Sequence, residues 1–354
     1  MSRPIQAIIS LRSIRHNIDV IKSKIGTTKF FSVIKADAYG HGIDNIYPAI
    51  SDSDGIAVLD LEDAIKLREN GWCKDILLLE GFFDSSDLEL IDRYNLCIVI
   101  HGQWQLKAIS SFIFKNQINI YLKLNSGMNR LGFKNEEVKS IINILKSIKN
   151  IKSIIMMSHF FNSSDTQSIK KQMDIIDDFL EFPLCLANSG AILWSPETHF
   201  HWVRAGAILY GISPRGKPGD IADYNLLPAM TLESKVIATH NIKSGESIGY
   251  SGKFIAKSPM KIAIVACGYG DGYPRLAPSG TPVLIEGNRC PLVGMVSMDM
   301  LCVDISHVTT IDVGSKVELW GTELLVDEVA GFSGTIGYDL TCSVTKRVPK
   351  KIIY

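Results

Sequence analysis

The sequence lacks a net charge, a long apolar run and a paired-cysteine motif, and each absence excludes a class of protein. The 37 Lys and Arg residues are balanced by 37 Asp and Glu residues, so nothing favours long-range attraction to nucleic acid or to an anionic membrane surface. No uncharged apolar run reaches the roughly 18 residues of a membrane-spanning helix. The N-terminus has no apolar segment followed by a small-residue cleavage site. We therefore expect a soluble, cytoplasmic protein.

The seven cysteines show no Cys-x-x-Cys spacing. Most lie in apolar runs, as Cys97 does in Leu-Cys-Ile-Val and Cys185 in Leu-Cys-Leu-Ala. An odd number cannot all pair in a disulfide framework, and the spacing does not match a zinc site. We interpret the cysteines as buried structural thiols and predict no metal site.

The sequence does contain short apolar runs that alternate with helical segments. The strand candidates are residues 29–35, 55–61, 75–81, 97–102, 118–125, 153–160, 183–189 and 202–211. Continuous, β-branched runs are typical of parallel strands buried on both faces. About eight β/α units predict an α/β fold with a closed (β/α)8 TIM barrel, and an open doubly wound sheet is the alternative.

Beyond about residue 226, alternating apolar and polar residues replace the helical period, as in residues 230–239. Turns rich in Gly, Pro and Asn separate these runs, a pattern that predicts a mainly-β domain. We assign residues 1–225 to the barrel and residues 226–354 to the C-terminal β domain. Residues 5–11 are a further strand that the β domain could recruit.

Polar residues recur at the C-terminal ends of the predicted strands. They are Lys35 and Tyr39 after the first strand, Lys123 and Asn125 at the fifth, His159 at the sixth, Asn188 and Ser189 at the seventh, and Arg204 in the eighth. Each has a structural explanation when taken alone, such as a helix cap or a paired cation. In TIM barrels, however, these strand ends meet on the face that carries the active site. Their recurrence therefore favours a site there.

Lys35 is the most informative of these residues. It follows an apolar run directly, and burial favours the neutral amine that forms a Schiff base. Ser189-Gly190 at a strand-to-helix junction and Gly206-Ala207 are typical phosphate ligands. A lysine with a phosphate site predicts pyridoxal 5′-phosphate (PLP), which joins to lysine and stabilises carbanions.

These residues belong to a series of motifs through which the chain resembles the bacterial alanine racemases along nearly its whole length. The matching segments are residues 33–42 (Val-Ile-Lys-Ala-Asp-Ala-Tyr-Gly-His-Gly), 127–132, 158–160, 187–190, 203–206, 248–251, 268–273, 297–299, 336–339 and 347–349. The resemblance implies a PLP enzyme with a barrel followed by a β domain. It also implies interconversion of L- and D-alanine, which supplies D-alanine for peptidoglycan, by a homodimer with shared active sites.

The resemblance implies roles for individual residues. Lys35 would hold PLP and act as one of two acid/base groups, and Tyr250 of the partner subunit would be the other. Arg204 would face the pyridine nitrogen, with His159 linking it towards Tyr250. The implied phosphate ligands are Tyr39, Ser189, Gly206, Ala207 and Tyr338.

The resemblance also implies a substrate site. Arg130 and Met298 of the partner subunit would meet the substrate carboxylate. Lys123 matches a lysine that is often carbamylated in the family, where the carbamate orients the arginine. The family usually has an aspartate where this chain has Asn125, so a charge beside Lys123 is missing.

The chemistry of racemisation agrees with these roles. A racemase removes a proton from one face of Cα and returns one to the other, so it needs two acid/base groups. An arginine, with a pKa above about 12, stays protonated beside the pyridine nitrogen. The ring is then a weaker electron sink, which disfavours transamination.

Three alternatives remain open from the sequence. A decarboxylase of basic amino acids uses the same two domains but would place an acid where Arg204 stands. A non-catalytic PLP-binding protein would resemble the barrel alone. An aldolase-like barrel using Lys35 without PLP would leave Arg204 and Tyr338 without a role. The sequence does not decide whether serine is also a substrate.

Overall fold

The computed structural model describes residues 3–354. The chain forms two compact units, which we call the barrel unit (residues 18–36 and 51–209) and the sheet unit (residues 3–17, 37–50 and 210–354). Residues 37–50 therefore group with the β strands by their contacts, although the sequence assigned them to the barrel. The boundary at residue 225 stays a prediction.

The described chain begins with strand β1 (Gln6–Ser10) and helix α1 (Leu11–Ile25). Eight parallel strands then form the closed barrel: β2 (Lys29–Val33), β3 (Gly55–Val58), β4 (Asp75–Leu78), β5 (Cys97–Ile100), β6 (Ile118–Lys123), β7 (Ile151–Met157), β8 (Leu184–Cys185) and β9 (Trp202–Ala205). Strand β2 pairs with β9, which excludes the open sheet. The predicted TIM barrel is confirmed.

Aromatic packing stabilises the barrel around β2, the strand that lies between β9 and β3. The Phe31 ring stacks on Trp202 with 4.2 Å between ring centroids. A Cβ on Gly55, the residue opposite Phe31 in β3, would lie 2.4 Å from the Phe31 ring. Only glycine leaves room for the ring at this position. The buried aromatic area contributes to the stability of this seam.

The helices follow the strands, as the alternation in the sequence predicted. Their bounds are α2 (Lys35–Tyr39), α3 (Ile43–Ile46), α4 (Leu61–Glu69), α5 (Asp87–Arg93), α6 (Gln103–Ser111), α7 (Asn135–Ser147), α8 (Thr166–Ile176), α9 (Ser189–Trp194), α10 (Gly219–Asp223), α11 (Val326–Phe332) and α12 (Gly337–Ser343). Helices α11 and α12 lie in the region that we predicted to be mainly β. Among residues 3–354, no helix combines the length and the apolar character needed to cross a membrane.

The sheet unit is organised around one long strand. Its later strands are β10 (Met230–Ile242), β11 (Ser247–Ile248), β12 (Phe254–Ile255), β13 (Met260–Val265), β14 (Pro282–Ile285), β15 (Asn288–Val293), β16 (Leu301–Asp304), β17 (Lys316–Trp320) and β18 (Lys350–Ile353). Strand β10 pairs with β1, β13 and β17. Strand β1 also pairs in parallel with β18, with Ala7 opposite Lys350.

Candidate active site

Lys35 lies just beyond the C-terminal end of β2, where it begins the five-residue helix α2. The backbone of α2 is left-handed, with φ of 53° at Ala36, 50° at Asp37, 55° at Ala38 and 54° at Tyr39. This conformation costs an L-amino acid about 1–2 kcal/mol per residue. Such strain persists only where the surroundings hold it, and it is common at functional sites. The sequence placed Lys35 at the end of the first predicted strand and did not reveal the left-handed helix that follows.

Side chains and backbone of the sheet unit hold the end of this helix. The Asp37 carboxylate accepts a hydrogen bond from the Ile43 N–H at 3.0 Å and pairs with Lys350 Nζ at 2.9 Å. Gly40 has φ of 80°, and a Cβ there would lie 1.9 Å from the carbonyl oxygen of Thr341. Any side chain at position 40 would therefore force α2 and α12 apart.

Three tyrosines cluster in the sheet unit. Tyr39 stacks on Tyr210 with centroids 4.9 Å apart, and Tyr338 meets Tyr39 edge-on at 6.2 Å. Burial is the main cause that raises the pKa of Tyr39 and of Tyr338, so both phenols stay neutral donors at physiological pH. Neutral hydroxyls are suitable donors to a phosphate oxygen. The sequence did not identify Tyr210.

Arg204 is buried in the barrel unit, where backbone carbonyls surround its guanidinium. Nη1 donates to the Cys185 carbonyl at 2.7 Å, and Nη2 donates to those of Ser158 at 2.8 Å and Leu186 at 3.2 Å. Nη2 also donates to His159 Nδ1 at 3.3 Å. These bonds fix the plane of the guanidinium and use both terminal nitrogens. Within residues 3–354, these bonds leave the Nε–H as the donor that can meet a ligand atom.

His159 and Lys123 lie in the same positive environment. Burial, Arg204, Lys123, Arg130 and Lys35 together lower the pKa of His159 well below that of an ordinary histidine. Burial and the cations at Arg204, Arg130 and Lys35 likewise lower the pKa of Lys123. The neutral form of His159 is therefore favoured at physiological pH, and Lys123 loses its proton more readily than an ordinary lysine. The barrel thus brings together the residues predicted on its fifth, sixth and eighth strands with Lys35 of the first.

Ser189, Gly206 and Ala207 form a second group at the ends of β8 and β9. Ser189 is the first residue of α9, and Asn188 caps this helix by accepting a bond from the Ala191 N–H at 3.1 Å. The Ser189 Oγ accepts a hydrogen bond from the Gly206 N–H at 2.9 Å. This contact brings together the two segments that the sequence predicted as phosphate ligands.

Arg130 follows a loop that Asn125 organises. The Asn125 Oδ1 accepts hydrogen bonds from the N–H groups of Gly127 at 3.2 Å and Asn129 at 3.0 Å. An aspartate could accept the same bonds, so the asparagine keeps the loop but removes a negative charge. Arg130, Lys123 and His159 line one cavity.

Tyr250 and Met298 are the two predicted residues that lie on the surface of the sheet unit, 67% and 51% exposed. Tyr250 follows Gly249, which has φ of 75°, and begins a short 3-10 turn. In a single chain both side chains are available to a second molecule. Their action in the partner's site stays a prediction.

The donor set fits PLP. Lys35 offers the amine, and the Arg204 Nε–H offers a donor to a pyridine nitrogen. In the barrel unit, the Ser189 hydroxyl is the kind of group that binds a phosphate, and in the sheet unit the hydroxyls of Tyr39 and Tyr338 are of the same kind. The buried side chain at position 204 is an arginine, whereas the decarboxylase alternative would place an acid there.

Comparison with known proteins shows similarity to alanine racemases in both halves of the chain. Residues 9–214 match the family model described as alanine racemase, N-terminal domain, and residues 229–352 match alanine racemase, C-terminal domain. The chain is 47% identical over 352 residues to the catabolic alanine racemase of Klebsiella aerogenes, covering 99% of each chain.

Solved structures agree. The biosynthetic alanine racemase from Pseudomonas aeruginosa has a TM-score of 0.96 at 40% identity, over 99% of this chain and 100% of that chain. The alanine racemase from Bartonella henselae, with covalently bound pyridoxal phosphate, has a TM-score of 0.87 at 25% identity, over 99% of both chains.

Proposed function

The chain belongs to the alanine racemase family, and from this premise we propose the roles that its residues take in the reaction. The protein is a PLP-dependent amino-acid racemase that interconverts L- and D-alanine. The observation that carries the proposed roles is the cluster of the barrel unit around the buried Arg204, in which the charges of Lys35, Arg130 and Arg204 all act on His159.

Residues at the strand ends, in α2 and in α12 would hold the cofactor. Lys35 would bind it covalently through Nζ, and Arg204 would meet its ring nitrogen. Its phosphate would be bound by Tyr39, Ser189, Gly206, Ala207 and Tyr338. When bound, PLP supplies the electron sink that makes the Cα proton of alanine removable. The carbonyls around Arg204 keep its guanidinium in one orientation, in which it would act as a hydrogen-bond donor to the ring nitrogen and not as an acid.

Lys35 and Tyr250 of the partner subunit are the two groups that remove a proton from Cα of alanine and return one to it. Lys35 Nζ, a free amine once the amine of alanine has displaced it, would take or return the proton on one face, and the phenol oxygen of the partner's Tyr250 would do so on the other. The exposure of Tyr250 on the sheet unit supports its use by a second chain. His159, whose Nδ1 accepts from Arg204, links the arginine towards the tyrosine. The active form is accordingly a homodimer.

The substrate carboxylate is met by Arg130 and by Met298 of the partner subunit. The lowered pKa of Lys123 supports its modification, because a neutral amine can add to CO2 with loss of a proton. The resulting carbamate would place a negative charge beside Arg130 and orient it. Asn125 supplies no such charge, so the carbamate would be the local anion.

In the cell, we place the enzyme in the cytoplasm, supplying D-alanine for peptidoglycan synthesis. The first test is racemisation by the purified enzyme, followed by the appearance of D-alanine from L-alanine and the reverse. Lys35→Ala should abolish both directions and the visible absorbance of the lysine-bound cofactor. Retention of both signals in that variant would exclude Lys35 as the cofactor lysine.

The two-base proposal has its own test. Tyr250→Phe should slow solvent-deuterium incorporation from one alanine enantiomer more than from the other, since each base serves one face. The control is Tyr354→Phe, which removes a hydroxyl from another exposed tyrosine of the sheet unit. Equal losses from the two enantiomers would contradict the assignment, and a fully active monomer in sedimentation would contradict the shared site.

A further inference from the structure

His41 is fully buried beside the left-handed helix α2, in the sheet unit. Its Nδ1 lies 3.0 Å from the carbonyl oxygen of Ala38 and 3.0 Å from that of Tyr39. The backbone N–H of His41 also donates to the Ala38 carbonyl at 3.0 Å. The imidazole therefore binds the last two residues of α2 directly, one of them a proposed phosphate ligand.

The two contacts determine the tautomer of His41. A carbonyl oxygen only accepts, so Nδ1 must carry the hydrogen that both oxygens share. Burial is the main cause that lowers the pKa of His41, to about 4, and the nearby Lys350 lowers it further. The two carbonyls and Asp37 act in the opposite direction. The ring is consequently neutral, with Nδ1 protonated and Nε2 unprotonated.

The ring of His41 also forms one end of an aromatic stack. It lies against Tyr210 with centroids 4.5 Å apart and 28° between planes, and Tyr210 in turn stacks on Tyr39. Contacts of this kind orient side chains as well as burying area. His41 thus contacts the backbone carbonyl of Tyr39 directly, and it supports the Tyr39 ring through Tyr210.

A left-handed helix of residues with side chains needs external contacts to persist. The last carbonyls of any helix have no donor within the helix and need one from outside it. His41 supplies donors to two of them, from a ring that stacking and burial hold in place. Lys35 begins the same five-residue helix, so a change in the handedness of α2 would move both ends.

We propose that His41, as the neutral Nδ1–H tautomer, is a positioning residue that locks the left-handed helix α2 and so orients Tyr39 and Lys35 for cofactor binding and proton transfer. This inference rests on the proposed roles of those two residues. His41 itself acts only through the helix and through Tyr210.

The test separates the effect of the His41 Nδ1–H donor from the effect of its stacked ring. His41→Phe keeps a ring for stacking but removes the donor, whereas His41→Asn keeps a donor at the position of Nδ1 but removes the ring. Val283→Ala, a buried truncation in β14, is the control for a general loss of stability. For each holoenzyme we would measure kcat, KM and the phosphorus-31 resonance of the bound cofactor phosphate.

His41→Phe should lower kcat by about 10- to 100-fold, as expected for misplaced reacting groups, and should shift the phosphorus resonance. His41→Asn should recover at least part of both, while Val283→Ala keeps the wild-type kcat and resonance despite a lower melting temperature. The proposal is overturned if His41→Phe matches Val283→Ala in kcat and in the phosphorus resonance.

A measurement on the wild type covers the case in which His41→Phe does not fold. Selective 15N labelling of the eight histidines, with His41 assigned by its loss in His41→Asn, should show a protonated Nδ1 and an unprotonated Nε2 at neutral pH. A protonated Nε2 or a charged ring would refute the proposed lock. Wild-type racemisation is assayed in parallel, because its absence would reject the proposed function while leaving the tautomer result valid.

Discussion

Replacing Arg204 by alanine should destabilise the protein severely, even without cofactor. The guanidinium satisfies the carbonyls of Cys185, Ser158 and Leu186 and the Nδ1 of His159. A buried acceptor left without its donor costs about 1–3 kcal/mol. Counting chiefly the two short bonds, at 2.7 and 2.8 Å, we expect Arg204→Ala to lose roughly 3–5 kcal/mol of unfolding free energy. Arg204→Lys, which retains a cation but not the planar fork, should lose about 1–2 kcal/mol.

The assay is urea denaturation of the cofactor-free protein at one fixed protein concentration, since bound cofactor and dimerisation both add stability by mass action. Arg289→Ala is the control, because Arg289 forms an exposed ion pair with Glu328 whose loss should cost no more than about 1 kcal/mol. The reasoning is refuted if Arg204→Ala loses no more than Arg289→Ala, or if Arg204→Lys is as unstable as Arg204→Ala.

Three further predictions concern the sheet unit and helix α2. Ala36→Gly should raise the unfolding free energy by about 0.5–1 kcal/mol, because the relief of left-handed strain exceeds the added flexibility of the unfolded chain; a lower denaturation midpoint would contradict this. Gly40→Ala should cost at least about 3 kcal/mol through the overlap with the Thr341 carbonyl, and a midpoint within error of wild type would contradict it. Burial raises the pKa of Asp327 to about 6, so the folded state retains a proton that the unfolded state releases above pH 3.8. Wild-type stability should therefore fall as the pH rises from about 4 to about 6, and the advantage of Asp327→Asn over wild type should grow by up to about 3 kcal/mol across that window; a pH-independent difference in urea titrations would contradict it.

The barrel could be predicted from the sequence because its eight strands are apolar on both faces and therefore stand out as continuous runs. The C-terminal ends of these strands could not be predicted, because apolar residues continue past the last hydrogen bond between neighbouring strands. The seventh strand was predicted over residues 183–189, but β8 ends at Cys185. In the second half, helices α11 and α12 are short and lie among glycines, so neither produced a clear helical period.

The candidate site was predictable where topology alone gathers residues. Strand ends in a barrel must meet, so Lys35, His159 and Arg204 could be placed together in advance. The stack of Tyr39, Tyr210 and His41 depends on tertiary contacts between segments distant in sequence. The handedness of α2 was also hidden, since Ala-Asp-Ala-Tyr is unremarkable for a right-handed turn. The flanking Gly40 and Gly42, both with positive φ, were the one available signal.

The parallel pairing of β1 with β18 has a consequence for how the protein is made. Synthesis proceeds at about 5–20 residues per second, so the ribosome needs roughly 20–70 s to travel from one strand to the other. During that interval β1 has no β18 to pair with, and its edge stays open to wrong partners. The barrel unit, in contrast, is complete once residue 209 has emerged. The nascent chain can therefore finish its barrel during translation, whereas the sheet unit must wait for β18.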